Sequence, residues 1–103
     1  MTQQPTIGRI VLYTLTEDDA QAINKRRDDF KAHLRTDGYA DTGYVAHFGN
    51  EAREGDVYPA VVLRVWDGDV INAKVLLDGT DTFWATSRYE GINPGTWAWP
   101  SRA

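Results

Sequence analysis

The sequence predicts an α+β domain in which one N-terminal helix packs on a curled antiparallel β-meander or small barrel. Three observations favour this fold. Apolar residues first recur at three- and four-residue steps, which is typical of an amphipathic helix. From about residue 44 the chain changes to short β-prone runs, and Asp-Gly and Asn-Pro-Gly turns separate the later ones. The length of 103 residues fits one domain over 1–103, with residues 1–6 as a flexible tail.

The first predicted elements are a strand and a capped helix. Arg9–Leu15 is a β-branched and aromatic run, which favours a strand. Thr16 is placed to cap a helix, because its hydroxyl can accept the backbone N–H of Asp19. We predict the helix over 17–36, with Gly38 as its C-cap. Its apolar stripe consists of Ala20, Ile23, Arg27, Phe30 and Leu34.

Five β-prone runs follow: Tyr44–Phe48, Val57–Trp66, Val70–Leu77, Thr82–Tyr89 and Thr96–Trp99. Side chains alternate between the two faces of a strand, so each run predicts a core face and an opposite face. The expected core set is Val57, Val61, Leu63, Val65, Ile71, Ala73, Val75, Leu77, Phe83, Ala85 and Tyr89. The opposite set is Tyr58, Val62, Arg64, Trp66, Asn72, Lys74, Leu76, Trp84, Thr86 and Arg88, and Trp97 and Trp99 share a face with each other.

The opposite face predicts a ligand site, because aromatic rings stack on bases and arginines bind phosphates. In this interpretation Trp84, Trp97 and Trp99 stack a base while Arg64 and Arg88 hold phosphates. Polar edges of the ligand would meet Asn72 and Ser87, and Trp66 would complete the aromatic set. The alternative is that these rings are core residues, because the apolar stripe of the helix must pack on some sheet face.

The sequence shows no catalytic motif. It contains no cysteine, which excludes disulfides and thiolate metal sites, and it lacks phosphate-loop and dinucleotide glycine patterns. His33 and His47 have no spaced carboxylate partner, which disfavours a zinc hydrolase. We interpret His33 as a solvated or dipole-facing imidazole and His47 as a structural hydrogen-bonding group. We interpret the aspartates of the turns as turn-capping groups. Lys25, Arg26 and Arg27 are interpreted as a solvated helix face whose charges are paired locally. We therefore predict a protein without enzymatic activity, metal or cofactor.

Charge narrows the range of partners. Eleven Lys and Arg against fifteen Asp and Glu give 11 − 15 = −4, which disfavours binding to duplex nucleic acid. No apolar run has the length of a membrane span and no signal peptide is evident, so we expect an intracellular protein that does not bind membranes.

Several sequence blocks occur in a distinctive order: Gly8–Leu15, Asp19–Ala20, Ile23–Arg27, His47–Asn50, Gly55–Pro59, Arg64–Trp66, Leu77–Ser87 and Trp97–Pro100. Together they resemble a family of small, functionally uncharacterised proteins of actinobacterial tailed phages, mycobacteriophages especially. The resemblance covers nearly the whole chain and implies a phage accessory protein that acts in the bacterial host cytoplasm. It supplies no catalytic residues.

A second resemblance is one of layout. A helix, a β-meander, a strand begun near a proline, the segment Trp84–Ser87 and a late tryptophan are together similar to phage proteins of the Thoeris anti-defence 2 type. Those proteins sequester nucleotide immune signals. This similarity implies a comparable role for the aromatic and cationic strand face.

The leading expectation is thus a non-catalytic phage protein that binds a small nucleotide-type ligand, such as a host immune signal, as a homo-oligomer. The alternative is an interaction module that docks on a host or phage protein and modulates it, because exposed Trp, Tyr and Arg are typical of binding hot spots. Single-stranded nucleic acid on a barrel-like sheet is a third hypothesis, which the net negative charge disfavours.

Overall fold

A computed structural model of the chain describes residues 3–37 and 49–101, and the side chains of all of these except 33–37. These residues form an α+β fold with one helix on a curled antiparallel meander, as predicted. The predicted strand Tyr44–Phe48 and the predicted cap Gly38 lie outside the described residues. The elements are β1 (Ile10–Thr14), α1 (Glu17–Asp37), β2 (Val57–Asp67), β3 (Val70–Leu76), β4 (Thr82–Arg88) and β5 (Trp97–Ala98).

The strands form one sheet in the order β4-β3-β2-β1-β5, with every neighbouring pair antiparallel. A parallel bridge joins Glu90, just after β4, to Trp97 in β5. This bridge brings the two ends of the sheet towards each other, so the sheet curls without closing into a barrel.

The start of α1 has the predicted cap. The Thr16 hydroxyl accepts the Asp19 backbone N–H at 2.9 Å, and the Asp19 carboxylate accepts the Thr16 N–H at 3.1 Å. These reciprocal bonds satisfy two donors at the helix terminus. The same carboxylate accepts the Tyr13 hydroxyl at 2.5 Å and an N–H of Arg88 at 3.4 Å. The cap therefore also ties the helix start to β1 and β4.

The helix packs on one face of the sheet through its predicted stripe. Ala20 and Ile23 belong to the same buried cluster as residues of β1, β2, β3, β4 and β5. Arg27 is also buried and binds both carboxylate oxygens of Asp81, at 2.9 and 3.1 Å. Arg26 reaches the same carboxylate at 3.0 Å. The prediction of a solvated face for Arg26 and Arg27 was wrong, because these long side chains span the gap to the β3–β4 loop.

One glycine makes room for this clamp. A Cβ at Gly49 would lie 2.5 Å from the Arg27 guanidinium and 2.5 Å from the Asp78 carbonyl oxygen. Arg27 also donates to the Asn50 carbonyl. Gly49 and Asn50 therefore lie directly against the Arg27 guanidinium.

The faces of β2 are the reverse of the prediction up to the β-bulge at Val62–Arg64 and agree with it beyond the bulge. Ala60 and Val62 are buried and Tyr58 packs against the core, whereas Val57 and Leu63 are exposed. The register shifts between Val62 and Arg64, which returns Val65 to the core face. Val61, which pairs with Lys74, lies on the outer face with Val57 and Leu63. The sequence assigned these three to the core because both faces of the strand are apolar there.

A second irregularity changes the end of β4. Phe83 and Ala85 face the core as predicted, as do Ile71, Ala73, Val75 and Leu77 in and just after β3. The register then shifts, and Ser87 adopts a φ of 55°. An extra residue in a strand moves the following side chains to the opposite face of the sheet. Arg88 consequently faces α1 instead of lying beside Trp84, and Tyr89, predicted in the core, is 61% exposed.

Candidate docking face

The two faces of the sheet differ in what covers them. On the side away from α1, none of the described residues forms a covering layer, and large side chains remain in solvent: Trp84 is 63% exposed, Val57 52% and Leu63 45%. We call this side the open face. Its residues are Ile10, Leu12, Val57, Pro59, Val61, Leu63, Arg64, Trp66, Lys74, Leu76 and Trp84.

The centre of the open face is a row of side chains that crosses four strands. Ile10 pairs with Val61, Val61 with Lys74, and Lys74 with Trp84. Side chains at directly opposed positions lie about 5 Å apart on one face of an antiparallel sheet. The row therefore places one ammonium group between a branched aliphatic residue and an exposed indole.

At one end of this face, Arg64, Trp66 and Asn72 form a small cluster. The Arg64 guanidinium lies 4.1 Å from the centroid of the Trp66 ring. The Trp66 indole N–H donates to Asn72 Oδ1 at 3.0 Å, and the Ser87 backbone N–H donates to the same oxygen at 2.8 Å. Asn72 thereby fixes the Trp66 ring and the bulge in β4, and the Trp66 ring in turn supports the guanidinium.

The charges of the open face are all positive. Lys74 and Arg64 form no ion pair with any residue in the described part of the chain. None of the residues that define the face is a carboxylate, although the whole chain has a net charge of −4. The open face is thus an apolar surface with two unpaired cations on an otherwise acidic protein.

The predicted ligand site is divided between the two sides of the sheet. Trp84, Arg64, Trp66 and Asn72 lie on or under the open face, with the Ser87 backbone bonded to Asn72. The structure does not bring Arg88 to them. It lies on the helix side, bound to Asp19 and 5.4 Å from the centroid of the Tyr13 ring.

Trp97 and Trp99 also lie away from the open-face cluster. Trp97 is buried, and its indole N–H donates to the Asp69 carbonyl at 2.9 Å. Trp99 packs edge-on against it with 5.4 Å between ring centroids, and the Arg9 guanidinium lies 4.8 Å from the Trp99 ring centroid. These two rings share a local cluster, as expected, but Trp97 belongs to the core.

Two buried ionisable groups belong to the helix side. Burial raises the pKa of the Tyr13 hydroxyl far above its ordinary value; its hydrogen bond to Asp19 and the Asp19 charge raise it further, against the opposing charge of Arg88. Burial alone would raise the pKa of Asp81, but the hydrogen bonds and charges of Arg27 and Arg26 outweigh it and hold this pKa below its usual range. Both groups stabilise the contact between helix and sheet.

Sequence reasoning missed the aliphatic part of the open face. Val57, Val61 and Leu63 were assigned to the core, and Pro59 was not assigned to a face. The N-terminal segment enlarges this surface, because Pro5, Thr6 and Ile7 line a groove of about 620 Å³ together with Leu63, Arg64 and Val65. The buried Pro5 and the Gln3 carbonyl, which accepts the Trp99 indole N–H at 3.4 Å, place part of the predicted tail against the sheet.

The described residues contain no group of three His, Asp or Glu side chains placed to hold a metal ion. The aspartates of the turns bind protein groups: Asp69 accepts the Glu90 N–H at 3.1 Å and Asp78 accepts the Asn50 amide at 2.8 Å. The side chains of His33 and His47 lie outside the described part. Among the described residues, no helix is long and apolar enough to cross a membrane.

Comparison with protein-family models, with curated proteins and with solved structures found no match to this chain. The resemblance to actinobacterial phage proteins and the layout similarity to the Thoeris anti-defence 2 type therefore stay predictions. The geometry of the open face is therefore the basis on which the function of this protein is inferred.

Proposed function

We propose that this protein is a non-catalytic interaction module that docks through its open face on another protein. The single observation that carries this proposal is the uncovered apolar sheet face with Trp84 at one side and Lys74 within it. A contiguous apolar surface larger than a few hundred Å² is uncommon on a monomer and marks interaction sites. Trp and Arg beside aliphatic residues are also the residue types that dominate binding energy at interfaces.

The charges specify the partner. Lys74 lies inside the apolar row, so covering it without an opposite charge would leave a desolvated cation unpaired. We therefore expect an apolar partner surface that carries a carboxylate opposite Lys74 and a second acidic group near Arg64. A second copy of this chain fits this face poorly, because a two-fold arrangement centred on the row would set Lys74 against Lys74.

The test begins with a photo-crosslinking amino acid in place of Leu63, with the same substitution at Lys31 on the exposed side of α1 as the matched control. A protein joined at position 63 and not at position 31, in a lysate of the source cells, is purified. It is then titrated with the unmodified chain and with Leu63→Asp, Lys74→Glu and Lys31→Glu.

Loss of the Lys74 charge contact should weaken binding by about tenfold or more, and Leu63→Asp should do the same by placing a charge in the interface. Lys31→Glu should bind like the unmodified chain, and a carboxylate-to-lysine change in the partner should restore binding to Lys74→Glu. The proposal fails if position 63 yields no specific adduct, or if the purified protein binds both open-face variants as tightly as the original chain.

A nucleotide-type ligand, for example an immune second messenger, is the second candidate, and the cluster of Arg64 and Trp66 next to Lys74 and Trp84 supports it. Two indoles and two unpaired cations on one face have the chemistry to stack a base and hold a phosphate. Arg88, Trp97 and Trp99 are not part of this reduced site.

Calorimetric titration against cyclic dinucleotides and ADP-ribose derivatives tests this second candidate. Binding should be lost in Trp84→Ala and Arg64→Ala and retained in Arg53→Ala, whose exposed guanidinium lies outside the open face. Absence of heat across the whole panel, or binding that survives Trp84→Ala, would exclude it and leave the protein-docking proposal.

A further inference from the structure

Strand β4 is a sheet edge with uncommonly little protection. It lies at one end of the strand order, and among the described strands only β3 pairs along its length. Directly after β4, Tyr89 and Gly91 form backbone hydrogen bonds with Trp97 of β5. From Thr82 to Ser87 it contains no charged residue, no proline and no glycine. Natural proteins block exposed edges with such residues or with bulges, because unpaired backbone groups bind a further strand. In β4 such protection lies only at the two ends: the Arg26 guanidinium at Thr82, and the irregularity at Ser87 followed by Arg88.

The direction of the backbone groups in β4 follows from the neighbouring strands. The N–H of Val62 donates to Arg9 and its carbonyl accepts from Gly8, so the Val62 groups face the β1 side. Because these groups alternate along a strand, those of Val61 face β3 and those of its partner Lys74 face β2. Trp84, which pairs with Lys74, must then direct its N–H and carbonyl away from β3.

A side chain at the start of β4 leads to the same conclusion. The Thr82 carbonyl accepts the Arg26 guanidinium at 2.7 Å, which places it on the outer edge. Thr82 and Trp84 are two residues apart and so point the same way, and Thr86 follows by the same alternation. Arg26 therefore occupies the edge at Thr82, whereas no backbone hydrogen bond outside the sheet joins Trp84 or Thr86 to a described residue.

We infer that β4 pairs with β4 of a second copy, antiparallel, about a two-fold axis at Ala85. In this register Trp84 of each copy exchanges two backbone hydrogen bonds with Thr86 of the other, four in all. The backbone carbonyl of Thr82, which already accepts a hydrogen bond from Arg26, takes no part in this pairing. The sheets of the two copies join into one sheet of ten strands.

Side chains fit this register. The two Ala85 residues meet at the close, non-hydrogen-bonded position, where Cα atoms lie about 4.5 Å apart and a small residue is favoured. Each Trp84 lies opposite a Thr86 rather than opposite another indole, and no like charges face each other between Thr82 and Ser87. The open faces of the two copies become one continuous surface with both Trp84 rings near its centre.

Thr86→Pro tests this pairing, with Thr86→Val as its matched control. Proline removes the outward N–H of residue 86 and leaves the bonds between β3 and β4 in place, whereas valine keeps the N–H and the β-branched shape. Sedimentation velocity over a range of concentrations should show dimers for the original chain and Thr86→Val. Thr86→Pro should associate at least about tenfold more weakly, because two of the four bonds are lost.

Hydrogen exchange gives a second measurement that needs no variant. The amides of Trp84 and Thr86 should exchange rapidly in dilute protein and slowly in concentrated protein, and the amide of Phe83, which faces β3, should be protected in both. A monomer at all concentrations, an unaffected Thr86→Pro dimer, or concentration-independent exchange at both amides would overturn the inference. Lys74→Glu, which should bind the docking partner weakly, should still form the β4 dimer. A failure of the dimer inference is therefore distinguishable from a failure of the docking proposal.

Discussion

The covered face and the open face of the sheet are both largely apolar, but residues of the same type have different environments on the two faces. Trp97 on the covered side is 1% exposed and has a bonded indole N–H, whereas Trp84 on the open side is 63% exposed. Arg27 on the covered side binds both oxygens of a buried carboxylate, whereas Arg64 on the open side rests on an indole. The difference shows that residue type alone does not separate core from interface in this protein.

The largest contrast is expected from removing one tryptophan from each side. Trp97→Ala should lower the free energy of unfolding by about 3–5 kcal/mol, since it leaves a cavity in the core and frees the Asp69 carbonyl. Trp84→Ala should change it by less than ~1 kcal/mol. Urea unfolding monitored by circular dichroism measures both. Comparable losses for the two variants would mean that the open face is covered in solution.

The second contrast concerns buried and exposed ion pairs. Asp81→Ala should cost about 3 kcal/mol, because it leaves the buried Arg27 guanidinium without its counter-charge. Its matched control is Asp29→Ala, which removes the exposed partner of Lys25 and should leave the free energy of unfolding almost unchanged. Urea unfolding measures the effect of both substitutions. A small effect of Asp81→Ala would show that water reaches the Arg27 guanidinium.

The buried hydroxyl of Tyr13 predicts a pH dependence that the open face lacks. Because its pKa is raised in the folded state, the stability it contributes is complete below its ordinary value of 10.0 and is lost as the pH rises above that value. The decrease should approach ~1.4 kcal/mol per pH unit at most.

Tyr13→Phe should flatten this alkaline decline while lowering stability at neutral pH by roughly 1–2 kcal/mol, since the hydrogen bond to Asp19 is lost. Tyr89→Phe, at an exposed ring, is the control and should keep the original profile. An alkaline decline that persists unchanged in Tyr13→Phe would assign it to another group.

The smallest effect is spectroscopic and is measured on the folded protein. Iodide should quench the fluorescence of Trp84 and Trp66 and leave that of Trp97 largely unaffected, because quenching requires contact with the solvent-exposed ring. Trp84→Phe should therefore reduce the quenchable fraction, and Trp97→Phe should increase it. An equal quenchable fraction in the two variants would contradict the assignment of the faces.

Local sequence signals predicted a large part of the fold. The helix was expected over 17–36 and spans Glu17–Asp37, and its cap at Thr16 has the predicted bond to the Asp19 N–H. All five described strands begin and end within one residue of their predicted bounds. Caps and turns depend on neighbouring residues only, so the sequence alone contains their causes.

The candidate site was predicted only in part. Trp84, Trp66, Arg64 and Asn72 do share a side of the sheet, but Arg88 lies on the other side and Trp97 in the core. Alternation could not place Arg88, because an extra residue before it reverses the faces, as another does at Val62–Arg64. A bulge of this kind has no distinct signature in a strand that is apolar on both sides. The burial of Trp97 depends on which face is covered, which alternation does not show.

The sequence by itself determined the α+β class, the capped helix and the run of strands, since hydrophobic period and turn chemistry act over a few residues. Only the tertiary structure decided which apolar face the helix covers. That choice follows from long-range contacts: Asp19 with Arg88 joins residues 69 positions apart, and Arg27 with Asp81 joins residues 54 positions apart. These contacts fix α1 on one side of the sheet and leave Trp84 and Lys74 on the other, available to a partner.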